Sequence, residues 1–318
     1  MESLRVRVAR KDQIALDIAA FELVSTDGMP LPAFEAGSHV DVAVPGGLTR
    51  QYSLCNDPGE SHRYQIAVLH VADGRGGSRA MHEVVKEGDL LVISKPRNHF
   101  PLANAHGHSL LLAGGIGITP LLCMAERLAH IGRAFTLHYF ARSAERAAFR
   151  DRIRASRFSD HVHFHFDEPF TGKPDFQALL APAGADAHLY TCGPKGFMDA
   201  VLACARSRGW ADDRLHKEYF SAEPSRIEGD GAFEVQLASS GRVIPVAADQ
   251  TVIAALAAQG VHIETSCEQG VCGTCLTRVL EGEPDHRDVY LTAAEQAAND
   301  QFLPCCSRAK SGRLVLDI

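Results

Sequence analysis

The sequence predicts a multi-domain protein with three modules: an antiparallel β-barrel, an α/β parallel sheet wound with helices, and a smaller α+β module that carries a cysteine loop. Three observations lead there. Short alternating runs separated by Gly, Pro and Asp turns occupy residues 4–102, strand-helix alternation follows, and C-x4-C-x2-C spacing appears near the C-terminus. At 318 residues, 46% hydrophobic and 22% charged, the chain can form two or three ordinary domains, each with a full core.

The first module is read from LRVRV, HVDVAV, RQYSL, YQIAVLHV and DLLVIS, with little helix between them. Within RQYSL, residues two apart share a face, so Arg50 and Tyr52 can hold a phosphate and lie beside a flat ring. Alone, this would describe an ordinary amphipathic strand. Gly74-Arg75-Gly76-Gly77-Ser78 precedes a short helix, however, and such a loop makes a nest of backbone donors for phosphate. Together the two segments describe an anionic cofactor site.

Beyond Asn104 the texture becomes SLLLA, a helix from Pro120 to His130, AFTLHYF, a helix from Ala144 to Ala155, HVHFHF, a short helix near Asp175, AHLYT, a helix from Pro194 to Arg208, and LHKEYF. GGIGITP links the first strand to its helix. Its glycines let backbone approach a pyrophosphate, Thr119 is the expected N-cap, and Pro120 suits the first helical position. Cys192-Gly193-Pro194 puts a second such turn at a strand's C-terminal edge, where open parallel sheets bind ligands. The polar segment 221–231, SAEPSRIEGDG, reads as an interdomain linker. FEVQLA, RVIPV, a helix from Thr251 to Ala258, the cysteine loop and RLVLDI complete the chain.

Cys267, Cys272 and Cys275, with Cys305 after 29 intervening residues, have the spacing of ligands to a plant-type [2Fe-2S] cluster. Gly270, Gly273 and Thr274 let backbone N–H groups approach the sulfurs. A four-Cys zinc site and disulfides are the alternatives. Cys55, Cys123, Cys192, Cys204 and Cys306 form an odd remainder that fits reduced thiols. The N-terminus lacks an apolar core, and the most apolar stretch, Leu110 to Ala125, is interrupted by three glycines and Pro120, so a cytoplasmic protein without a membrane span is expected. Residues 232–318 hold 11 Asp/Glu against 6 Lys/Arg, an acidity that favours a basic docking partner and disfavours nucleic acid.

RQYSL, GRGGS, GGIGITP, CGP, HKEYF and C-x4-C-x2-C with LPCCSRA, in this order over the whole chain, resemble the phthalate dioxygenase reductase family, including the vanillate O-demethylase type of oxygenase reductases. The resemblance implies an FMN-binding barrel of the ferredoxin-reductase type over residues 1–103, an NADH-binding domain over 104–225, and a plant-type β-grasp ferredoxin domain over 232–318. It places Arg50, Tyr52, Ser53 and Leu54 at the flavin, with Ala67 and Val68 along the isoalloxazine and Gly76, Gly77 and Ser78 at the phosphate. Gly114, Gly115, Gly117 and Thr119 would form the dinucleotide loop, with Arg142 and Arg146 towards adenosine. Cys192, Gly193 and Pro194 would lie against the nicotinamide, and Phe220 would stack on the flavin. Thr119, Cys192 and Phe220 are thus the candidate catalytic residues.

Cys305 is the expected fourth ligand, preferred over Cys306 because the family motif fixes its distance from Ser307-Arg308-Ala309. The implied activity is NADH-dependent reduction of a separate Rieske non-haem iron oxygenase by a monomeric flavin and iron-sulfur protein. A stand-alone diaphorase reducing quinones or ferric complexes would share every motif, whereas a structural zinc protein would be colourless. Asp285-His286-Arg287-Asp288 reads as a polar surface turn, and HVHFHF as a strand without chemistry.

Overall fold

A computed structural model describes residues 3–72, 74, 76–104, 107–167, 174–184, 186–220 and 230–318. The chain divides into two compact units, Met1–Glu218 and Tyr219–Ile318. Arg75 lies outside the described residues, as does most of the expected linker.

Alternation builds the first part of unit one. Strands β1 (Ser3–Ala15), β2 (Ile18–Ser25), β3 (Ser38–Val44), β4 (Leu48–Ser53), β5 (Tyr64–Leu69), β6 (Leu90–Ser94) and β7 (Arg97–Asn98) form an antiparallel sheet in the order β4-β3-β6-β1-β2-β5, with β7 on β3. Helix α1 (Gly77–Glu83) follows β5. Val6, Val8, Val40 and Val42 are fully buried, as period-two patterning requires. Strands β4 and β5 are the two edges of this path, and Cys55 N–H donates to Gln65 O at 2.9 Å where they approach. The sequence does not announce β2, because Ile18, Ala19, Ala20 and Phe21 are all buried and no alternation survives there.

The second part is parallel. Strands β8 (Ser109–Gly114), β9 (Phe135–Ala141), β10 (Val162–Phe166), β11 (His188–Cys192) and β12 (Leu215–Glu218) lie in the order β10-β9-β8-β11-β12. Helices α2 (Ile118–His130), α3 (Arg150–Arg154), α4 (Phe176–Leu180) and α5 (Lys195–Ser207) connect them. The chain leaves β8 towards β9 and returns on the other side at β11, so the strand order reverses between Gly114 and Cys192, the crevice where such sheets bind ligands.

Two expectations are corrected here. Helix α2 starts at Ile118 with Gly117 as N-cap, so Thr119 is inside the helix and its hydroxyl donates back to Ile116 O at 3.0 Å. The helix expected from Ala144 to Ala155 is a 3-10 turn, Ala144–Arg146, followed by the short α3. Ala147 is extended and Phe149 adopts φ 60, and together they break the run.

In unit two, β13 (Phe233–Leu237), β14 (Val243–Val246), β15 (Thr277–Glu281), β17 (Gln301–Phe302) and β19 (Arg313–Leu316) form a sheet in the order β14-β13-β19-β15-β17. Strands β16 (Pro284–Asp285) and β18 (Arg308–Ala309) pair separately. Helix α6 (Val252–Ala258) is capped by Thr251, whose hydroxyl accepts from Ala254 N at 3.2 Å, and Leu256 joins Val235, Phe302 and Leu316 in the core. The short helix α7 (Ala293–Ala298) starts from a Thr292–Glu295 capping box. Among the described residues no helix is long and apolar enough to cross a membrane.

Candidate cofactor and cluster sites

The edge strand β4 presents Arg50 and Tyr52 on the face of Val42 and Val40, and Ser53 on the opposite face, paired with His39. The Arg50 guanidinium reaches the start of α1, since a Cβ on Gly77 would stand 2.7 Å from Arg50 Nε. Gly76 takes φ 91, a left-handed conformation that glycine adopts without cost, and Ser78 Oγ accepts from Val71 N at 3.1 Å. At the far end of α1, Lys11 Nζ donates to the carbonyls of Met81, His82 and Val85 at 3.1, 2.5 and 2.7 Å. This cation answers the helix's terminal carbonyls and fixes the cradle from behind. Burial raises the Tyr52 hydroxyl's pKa. Leu54, Ala67 and Val68 are core side chains, with Val68 O already bonded to His82 Nε2 at 2.8 Å.

At the reversal crevice the two glycine turns are built against each other. A Cβ on Gly114 would stand 2.9 Å from Pro194 Cδ, one on Gly193 2.9 Å from Gly114 Cα, and one on Gly117 would meet the Cys192 carbonyl and lie 2.6 Å from Gly193 N. These glycines are therefore required by the contact between loops as well as by any ligand. Gly115, at φ 54 with nothing within 4 Å of a notional Cβ, is the open position of the loop.

The thiol of Cys192 is fully buried and pushed well above its ordinary pKa by desolvation, with Glu218 adding to the shift. Glu218, paired with Cys192 across β11 and β12, is pushed up to about 8 by desolvation. Ser53 Oγ donates to Glu218 Oε2 at 3.4 Å, so a hydroxyl from the antiparallel sheet meets a protonatable carboxyl and a thiol from the parallel one.

Sequence reasoning missed Glu218. The quoted HKEYF motif contains it, and a carboxylate ending a strand at the ligand edge was the available signal. Phe220 falls in the second unit and is 37% exposed. Arg142, just past β9, is exposed, and Arg146 is ion-paired with Asp17 at 2.9 Å.

The cysteine side chains lie close together: Cys267 bonds to Cys272, and Cys305 bonds to both Cys275 and Cys306. Hydrogen bonds from neighbouring thiols hold Cys272 and Cys305 below the ordinary thiol range, while Cys267, Cys275 and Cys306 are pushed above it. Backbone N–H groups of Gln269, Val271, Thr274 and Gly270 point at the sulfurs. Gly270 and Gly273, at φ 70 and 72, leave no room for a Cβ beside Cys306 and Tyr290. Cys306 bonds to Cys305 and also approaches Leu303 O and Ser307 Oγ at 3.7 and 3.8 Å, so it shares the neighbourhood of the Cys275–Cys305 contact.

Residues 235–310 match the family model described as a 2Fe-2S iron-sulfur cluster binding domain. The whole chain is 54% identical over 316 residues to a vanillate O-demethylase oxidoreductase of a Pseudomonas species, covering 99% of this chain and 100% of that one. The chain belongs to the vanillate O-demethylase oxidoreductase family. Phthalate dioxygenase reductase of Burkholderia cepacia is 41% identical over 317 residues, covering 99% of this chain and 97% of the relative. A solved phthalate dioxygenase reductase, described as modular for electron transfer from pyridine nucleotides to [2Fe-2S], superposes with TM-score 0.82 at 40% identity, over 99% of this chain and 98% of its own.

The donor set fits what this oxidoreductase family binds. Neighbouring thiols at Cys267, Cys272, Cys275 and Cys305 suit a two-iron cluster, and the N–H groups facing the sulfurs suit its negative charge. The Arg50 guanidinium against the glycine start of α1 suits a phosphate monoester.

Proposed function

We propose that this chain is the NADH-dependent reductase component of a two-component oxygenase, passing electrons from nicotinamide through FMN to a [2Fe-2S] cluster and on to a separate Rieske-type oxygenase. The observation that carries the reading is the match of residues 235–310 to a 2Fe-2S cluster binding domain in the same chain as a parallel sheet whose strand order reverses between Gly114 and Cys192, beside an antiparallel sheet. Oxygenase reductases among the relatives support the partner class. The bound flavin would supply conversion between a two-electron donor and a one-electron acceptor.

The side chains then have stated tasks. Arg50, with Gly76, Gly77 and Ser78, holds the phosphate, and Tyr52 covers one flank of the ring. Ala67, Val68 and Leu54 contribute the apolar wall and backbone of that pocket. Gly114, Gly115, Gly117 and Thr119 shape the dinucleotide loop, with Arg142 near adenosine. Cys192, Gly193 and Pro194 exclude water from the nicotinamide side, and Ser53 and Glu218 hold and move a proton there, the carboxyl being set near 8 so that it exchanges at neutral pH. Phe220 supplies an exposed aromatic ring for stacking. We assign the modules to residues 1–103, 104–225 and 232–318, and a monomer as the working form.

The test is direct. Purified holoprotein reduced anaerobically with NADH should lose flavin absorbance and develop the paramagnetic signal of a reduced [2Fe-2S] cluster, and it should support turnover by a Rieske oxygenase. Turnover with quinones undiminished by loss of the cluster would favour the diaphorase reading.

A further inference from the structure

The Asp285–Asp288 segment, expected to be a polar surface turn, is instead partly buried, with the Asp288 side chain fully enclosed. The side chains of Arg287 and Asp288 are 9% and 0% exposed. The Arg287 fork grips both oxygens of Asp230, Nη1 to Oδ2 at 2.7 Å and Nη2 to Oδ1 at 2.5 Å, and also holds Asp285 Oδ2 through Nε at 2.8 Å. Arg308 reinforces the grip. It lies 3.8 Å from Asp230 Oδ2 and donates to the carbonyls of Gly231, Ala247 and Gln250 at 3.1, 3.1 and 2.8 Å.

From this anchor the contacts run straight to the cysteines. Arg287 N–H donates to Ser307 Oγ at 3.2 Å, and Ser307 Oγ donates to Asp288 Oδ1 at 3.4 Å. Ser307 stands two residues after Cys305. Asp288 Oδ2 is fixed by Leu291 N–H at 2.8 Å. Val289 N–H donates to Gly270 O at 3.1 Å, and a Cβ on Gly270 would stand 3.2 Å from Asp288 Cα. Gly270 N–H in turn points at the Cys305 sulfur. One short segment thus braces the loop of Cys267–Cys275 and the loop of Cys305 together, and its outer end is locked by the Asp230 carboxylate.

We propose that Asp230, Arg287 and Asp288 are positioning residues for the cluster, a charged tie that holds the two cysteine loops in register and sets the electrostatic field in which the cluster is reduced. The proposal rests on the cysteines being cluster ligands. Outer partners of metal ligands act in this way generally, and cluster potentials follow the net charge and hydrogen bonding around the sulfurs. Breaking a buried ion pair from either side leaves the other charge uncompensated. The two single variants therefore carry opposite excess charge.

The experiment compares holoprotein of wild type, Asp230→Asn, Arg287→Met, and Glu283→Gln as a control. Glu283 pairs with Lys310 on the surface of the same region, both side chains more than half exposed. Iron content, the paramagnetic signal after chemical reduction and the cluster midpoint potential are read directly. Asp230→Asn should raise the potential and Arg287→Met lower it, each with a changed signal, while NADH reduction of the flavin proceeds at the wild-type rate and Glu283→Gln changes nothing. Should Arg287→Met fail to hold iron, Asp230→Asn, which keeps the shape and loses only charge, decides alone. Unchanged potential and signal in Asp230→Asn, or shifts in the same direction for both variants, overturns the proposal. A wild-type protein with no cluster signal would overturn the proposed function instead.

Discussion

Gly117→Ala is the sharpest probe of the crevice. Gly117 has φ −63 and ψ −3, which alanine adopts freely, so only the new methyl group matters. That methyl would lie 2.6 Å from Gly193 N and closer still to the Cys192 carbonyl. Ordinary contact is about 3.5 Å, so the two loops must part by at least roughly 0.9 Å. Both contacts are backbone atoms at the ends of buried strands and cannot rotate away. Overpacking of this kind costs about 1–3 kcal/mol of stability, and a displacement near 1 Å between reacting groups costs on the order of a hundredfold in rate. Stopped-flow reduction of the flavin by NADH should therefore slow by about that factor, while flavin content and chemical reduction of the cluster remain normal. Gly115→Ala, with open space but a left-handed backbone, is the comparison and should lose about 1 kcal/mol without blocking hydride transfer. Wild-type NADH kinetics in Gly117→Ala would refute the reading that the loops must touch.

Other outcomes follow from the same geometry. Arg50→Ala should weaken flavin retention by about 1.5–3 kcal/mol, one charge-assisted phosphate contact, measured by flavin loss on dilution. Cys272→Ser should leave NADH oxidation with artificial two-electron acceptors largely intact and abolish cytochrome c reduction; unchanged cytochrome c reduction would reverse the electron order. For Glu218, the native carboxyl titrates at about 8 against an ordinary 4.5, so the folded protein retains a proton that the unfolded chain has released. Glu218 should therefore make the flavin-free protein lose stability as pH rises from about 4.5 to 8, and Glu218→Gln should remove that slope in thermal unfolding.

Much of this architecture was legible in particular residues. The alternation of HVDVAV and RQYSL gave β3 and β4, and the apolar run SLLLA before GGIGITP gave β8 and its turn. The cysteine spacing pointed to a 2Fe-2S domain, which the family model over residues 235–310 matches, because four thiolates around two irons admit few loop lengths. What escaped was set by tertiary contact. β2 is buried on consecutive residues and shows no period, and Phe149 breaks a helix whose composition favours continuation. Gly114, Gly117 and Gly193 look like ligand-approach glycines, yet their missing Cβ atoms let the two turns meet. Glu218 gains its role only when β12 brings it to Ser53, and Asp288 looks solvent-facing until Ser307 and Leu291 enclose it.

The most direct test of the electron relay is an anaerobic reductive titration of the purified holoprotein, followed by absorbance and paramagnetic resonance. The account predicts uptake of about three electrons per chain, two at the flavin and one at the cluster, all accessible from NADH. Uptake confined to the flavin with no paramagnetic cluster signal, or a colourless protein holding zinc in the thiol quartet, would contradict it.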